Sequence, residues 1–132
     1  MTTEIASFLT SHGIGQSIAV GVGGDAIIGA TFTELIAMLE QDESTDAVII
    51  YGEPGGTAEE ELADYLGTHK TRLRINAFLS GRFVDDLEGG RFGHAAVSVE
   101  GGRGSVKGKK QALRDAGVFV ADRFDDLLEG LR

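Results

Sequence analysis

Cysteine and tryptophan are absent from the 132 residues, and proline occurs once. Without cysteine no disulfide can staple the fold, no thiol can serve as a nucleophile and no thiolate can hold a metal. Without tryptophan the largest stacking platform for a nucleic-acid base is missing. Positive charge is scarce as well. Twelve Lys and Arg against 21 Asp and Glu give a formal net charge of −9, which opposes nonspecific contact with phosphate backbones. No window approaches the roughly 18 consecutive apolar residues of a membrane span, and Met1-Thr2-Thr3-Glu4 has neither the basic start nor the apolar run of a secretory signal. These absences argue against nucleic acid and membrane as partners, and the expected setting is the cytoplasm.

Glycine, by contrast, is abundant. Of the 20 glycines, 13 cluster at 21–24, 52–56, 89–93 and 101–108, between regular segments, as tight loops at strand ends require. Glu4 to Ser11 has a helical apolar face (Ile5, Ala6, Phe8, Leu9) and stops at Gly13. Thr31 and Glu34 match a capping box opening a helix that runs to Asp42, and Thr57 and Glu60 match a second, opening a helix to about Gly67. Lys107 to Ala116 and Phe124 to Leu131 read as two further helices. Between these lie short apolar runs: Ser17 to Val22, Asp46 to Tyr51, Leu73 to Leu79, His94 to Val99 and Val118 to Ala121. Glu34, Glu40, Glu59 to Glu61, Asp125 and Asp126 read as solvated helix faces, and His12 and His69 as surface residues.

Strands alternating with helices of this length imply parallel pairing through crossovers. The expected fold is a single α/β domain over residues 1–132. It is a doubly wound, flavodoxin-like, mostly parallel sheet of five strands with helices on both faces. In such sheets ligands bind at the carboxyl ends of the strands. The loops Gly23-Gly24-Asp25, Gly52-Glu53-Pro54-Gly55-Gly56 and the one around Ser80 follow strands and share that edge. His94 sits between Gly93 and two alanines, so nothing bulky shields its imidazole, and Ser105 is placed to begin a helix after a glycine-rich turn able to offer N–H groups to an anion. From the residues alone, Glu53 reads equally as a solvated turn residue, and 101–104 as a plain tight turn.

The ordered motifs Gly13-Ile14-Gly15-Gln16-Ser17, Gly21-Val22-Gly23-Gly24-Asp25, Gly52-Glu53-Pro54-Gly55-Gly56-Thr57, Gly93-His94-Ala95 and Gly101-Gly102-Arg103-Gly104-Ser105 together resemble one family. It is the C-terminal ligase half of the succinyl-CoA synthetase α subunit and related nucleoside-diphosphate-forming acyl-CoA ligases, which include ATP-citrate lyase and malate–CoA ligase. The resemblance implies that His94 is phosphorylated and relays the phosphoryl group between nucleotide and acyl carboxylate. Glu53 would hydrogen-bond that histidine. An imidazole nitrogen is nucleophilic only when the other holds the proton, and a carboxylate fixes that tautomer and steadies the cation. Gly55, Gly56, Gly93, Gly101, Gly102, Gly104 and Ser105 are the implied cofactor-binding positions, and no metal site is implied. CoA and ATP or GTP with Mg would be substrates of a full complex, with none held tightly by this domain alone. The implied partners are an ATP-grasp β-type subunit, a CoA-binding domain in trans, and a small carboxylic acid as substrate.

The chain also departs from the family pattern. The N-terminal CoA-binding domain and the Ser-Gly-Thr phosphate turn before the first helix are not in this sequence. Ala96 stands where a second glycine is usual, and Phe83 to Glu88 replaces a basic loop, leaving Arg91 as its one cation. Two readings follow. One is a phosphohistidine-carrying acid–thiol ligase domain, inactive without its CoA-binding and ATP-grasp partners. The other is a non-catalytic binding or assembly module that keeps the fold and the β-subunit interface. A flavin carrier finds no support, because no Ser/Thr-rich phosphate loop follows the first strand.

Overall fold

The computed structural model describes residues 1–24, 27–81 and 104–131. In chain order these form α1 (Thr2–Ser11), α2 (Phe32–Leu39), β1 (Ala47–Gly52), α3 (Ala58–Thr68), β2 (Arg74–Leu79), α4 (Val106–Asp115), β3 (Phe119–Ala121) and a closing 3₁₀ helix (Phe124–Leu131). The strands make one parallel sheet in the order β1-β2-β3, with Val48 opposite Ile75 and Ala77 opposite Val120. Parallel neighbours need a crossover to carry the chain back. Helix α3 lies in the first crossover, and α4 in the second.

Alternation along the strands sorts side chains between two faces. Ile50, Ile75, Ala77, Leu79 and Val120 join Ile36 of α2, Leu62 of α3, and Val106 and Leu113 of α4 in the main core. On the other face Asn76 donates through Nδ2 to the Leu127 carbonyl at 2.8 Å. There the Phe78 ring meets Phe124 edge-on at 5.7 Å, and Phe124 meets Phe8 of α1 at 4.9 Å. Helical segments therefore cover both faces of an α/β sheet. No helix among the described residues is long and apolar enough to cross a membrane.

The structure departs from the sequence expectations in three places. Ser17 to Val22 forms no strand. Ile18 and Val20 are 56% and 44% exposed, and the link toward β1 is a hydroxyl pair, Ser17 Oγ to Thr45 Oγ1 at 2.7 Å. Gly15, Gly21, Gly23 and Gly24 make this stretch costly to order. The expected strand His94 to Val99 lies outside the described residues. Of the five expected strands, those described as strands are β1, β2 and β3.

The second departure is at α3. The Thr31–Glu34 capping box forms as expected, but Thr57 makes no side-chain cap, and its hydroxyl donates to Glu61 Oε1 at 2.6 Å. The third concerns charge. Glu59 and Glu60, expected on a solvated face, are buried, because both are drawn into polar contacts beneath the loop that follows β1.

Candidate active site

At the carboxyl end of β1 the chain turns through Glu53, Pro54, Gly55 and Gly56 into α3. Gly55 and Gly56 have φ of 82° and 63°, left-handed values that only glycine adopts without strain. This conformation turns backbone carbonyls inward, toward a single buried cation. Lys109 of α4 is 1% exposed. Its Nζ donates to the Glu53 carbonyl at 2.8 Å and the Gly55 carbonyl at 2.5 Å, and lies 2.5 Å from Glu59 Oε2. Two backbone carbonyls and one carboxylate thus surround the ammonium, the carbonyls as hydrogen-bond acceptors and the carboxylate as its ion-pair partner.

A second set of bonds ties the same loop to the turn ahead of α4. Gly55 N–H donates to the Gly104 carbonyl at 2.7 Å, and Gly104 N–H donates to Glu60 Oε1 at 2.7 Å. Ser105 is the N-cap of α4, its Oγ accepting from Gly108 N–H at 3.0 Å. Beyond β2, Ser80 N–H reaches the Gly52 carbonyl at 3.1 Å, and Ser80 Oγ accepts from the Tyr51 hydroxyl at 2.7 Å. Glu53, Gly55, Gly56, Gly104 and Ser105 are therefore brought together at the strand ends. His94, Gly93, Gly101 and Gly102 lie outside the described residues.

Glu53 is exposed, a carboxylate able only to accept, on a backbone fixed from both sides. Glu59 has a different electrostatic setting. Burial pushes its carboxyl above the usual range, against the lowering pull of the Lys109 ammonium, and the adjacent Glu60 adds to the rise. The N–H groups of Gly55 and Gly104 are engaged within the protein, so these two residues shape the loop. Helix α4 has no acidic residue in its first turn, whereas α3 carries Glu59, Glu60 and Glu61 there. Of the two helix starts, that of α4 suits an anion better. Among the described residues no cluster of three or more His, Asp or Glu could hold a metal ion.

Lys109 and Glu59 are not singled out by composition or motif, and Glu60 only as a capping-box residue, yet a signal for the first two exists. On α4 the inward positions 106, 109, 110 and 113 recur at helical spacing, and lysine fills two of them. On α3 the buried Glu59, Leu62 and Ala63 follow the same spacing. Opposite charges on the inward stripes of neighbouring helices mark a buried pair.

An α/β chain with a glycine-built, acid-bearing loop at the strand ends defines a class, and the comparisons with known proteins agree with it. The CoA-ligase family model matches residues 1–119, and the chain belongs to that family. It is 42% identical over 132 residues to the ADP-forming succinate–CoA ligase subunit alpha 1 of Archaeoglobus fulgidus, covering all of this chain and 44% of that protein. It is 43% identical over 123 residues to the ADP-forming sulfoacetate-CoA ligase subunit SauD of Bilophila wadsworthia, covering 93% of this chain and 41% of that protein. The chain thus spans less than half the length of these relatives. Among solved structures, ATP citrate lyase from Methanothrix soehngenii, in complex with citrate and coenzyme A, superposes with a TM-score of 0.73 at 28% identity, over 83% of this chain and 18% of that one.

Proposed function

We propose that this chain is the phosphohistidine-carrying ligase domain of a nucleoside-diphosphate-forming acid–CoA ligase. The observation that carries the reading is the whole-chain likeness, at 42% identity, to a subunit of an ADP-forming succinate–CoA ligase. Glu53 supports it from its place on a braced loop at the strand ends. In the proposed reaction one nitrogen of neutral His94 attacks the terminal phosphorus of ATP or GTP, and the bond to the nucleoside diphosphate breaks. The other ring N–H is held by the Glu53 carboxylate, which stabilises the cationic imidazole. A carboxylate oxygen of the acid then takes the phosphoryl group, and the thiol of CoA displaces phosphate from the resulting acyl phosphate.

Nucleotide and magnesium would come with an ATP-grasp β-type subunit, and CoA with a CoA-binding domain supplied in trans to residues 1–132. Gly56, Gly93, Gly101, Gly102 and Ser105 are the proposed phosphate-side positions, with Gly55 and Gly104 shaping the loop. The same proposal adds His94 to Val99 to the sheet as a further strand.

The test is acid-labile, base-stable phosphate on the chain, followed by intact mass after incubation with Mg-ATP or Mg-GTP. The partner is the β subunit of an ADP-forming succinate–CoA ligase, in a complex shown to form by gel filtration. Phosphate on the wild type that is missing from His94→Ala establishes the carrier. A complex that forms and takes no phosphate leaves a non-catalytic assembly module instead.

A further inference from the structure

We propose that Lys109 is a positioning residue that sets the Glu53 carboxylate for its work on the histidine, an inference that rests on the reading just given. Glu53 is exposed, so its own side chain contributes little to fixing where it points. Its backbone is fixed instead. On one side Ser80 N–H holds the preceding Gly52 carbonyl, and on the other the Lys109 ammonium holds the carbonyls of Glu53 and Gly55. These two carbonyls bracket Pro54, so one cation clamps the apex of the loop. Charged donors make hydrogen bonds roughly twice as strong as neutral ones.

The cation is itself tied down. Lys109 is 1% exposed and paired with Glu59 of α3, on the helix that the loop enters. The Gly55 to Gly104 bond and the Gly104 to Glu60 bond close the same unit from the α4 side. Strand β1, helix α3 and helix α4 thus meet at one buried ammonium, and the carboxylate of Glu53 projects from the junction into solvent. At 1% exposure Lys109 cannot touch nucleotide or acid. Any effect it has on the reaction must pass through the loop.

The experiment measures single-turnover phosphate transfer to the full chain in the β-subunit complex, with four forms compared: wild type, Lys109→Met, Glu53→Gln and the double variant. Lys109→Met is expected to lower the rate constant at saturating nucleotide by up to about 100-fold, as a small misplacement of a reacting group does. The half-saturating nucleotide concentration should stay unchanged. In the Glu53→Gln background the same substitution should cost nothing further, because the group it positions is already gone.

Equal losses in both backgrounds overturn the inference, as does a shift in the half-saturating concentration with an unchanged rate constant. Phosphate absent from the wild type overturns the functional reading, and with it this inference. Should Lys109→Met fail to fold, Glu59→Gln/Lys109→Met removes the same two loop contacts without leaving a buried carboxylate unpaired, and is judged by the same non-additivity.

Discussion

At the scale of single residues, the centre of the molecule is a charge placed where apolar side chains are usual. Breaking a buried ion pair by removing one member costs about 3–5 kcal/mol, whereas replacing both members by well-packed apolar side chains is often near neutral. Lys109→Met should therefore destabilise the chain by that order in urea unfolding, and Glu59→Gln/Lys109→Met should regain only part of the loss, since the Glu53 and Gly55 carbonyls still lack their donor. Gly52 is bound to the same pair. A Cβ there would lie 2.5 Å from Glu59 Oε1 and 3.0 Å from Leu79 Cγ, so Gly52→Ala should cost about 1–3 kcal/mol through overpacking. Asp42 shows the opposite electrostatic case. Hydroxyls of Thr45 and Ser44, with the Ser44 N–H, hold its carboxyl below the usual range. A depressed carboxyl adds stability above its unfolded value of about 3.9 and loses it as the pH falls through the folded one. The Tm gap between wild type and Asp42→Asn should accordingly shrink as the pH is lowered below about 4, a trend that thermal melts across pH would show.

Elements are where the sequence was most and least legible. The Thr31–Glu34 box, the glycine stops and the three described strands follow from periodicity and turn chemistry, which act over a few neighbouring residues. The Thr57–Glu60 box had the same local pattern and failed, since Glu60 finds the Gly104 amide 44 positions away. A distant partner cannot be read from spacing. The strand-end loop was legible from its glycines, but its buried lysine was not, because Lys109 and Lys110 look like the solvated face of a helix until the inward stripe is traced through them. Arg72 is similar. From just ahead of β2 it donates to the carbonyls of Leu39, Glu40, Asp42 and Thr45, closing the end of α2, and its N–H reaches Glu40 Oε1 at 3.0 Å. Arg72→Ala should cost about 1.5–3 kcal/mol, the range for bonds made by a charged group. Arg72→Lys should recover only part, since an ammonium cannot reach a fan of four carbonyls. Urea midpoints for the two variants check both statements.

For the molecule as a whole, the sheet sets how stability is distributed. Strand β2 is hydrogen-bonded on both sides, β1 pairs with β2 alone among the described strands, and the residues from Ile14 to Gly24 carry no ladder bonds. Buried, doubly paired amides open only with global unfolding, while unpaired exposed ones exchange almost at once. Exchange read by NMR should therefore fall in tiers: β2 slowest, β1 and β3 next, Ile18 and Val20 fastest. The tiers matter for function because Glu53 hangs from β1, and the stretch that begins at Ser17 touches Thr45 just ahead of that strand. If Ile18 and Val20 exchanged as slowly as β1, that stretch would be a paired strand in solution and the loop would be supported from a third side. Fast exchange would leave the Lys109 clamp as the main constraint on the loop. In that case Lys109→Met should speed exchange at Gly55 and Gly56 while leaving the β2 amides in their slow tier.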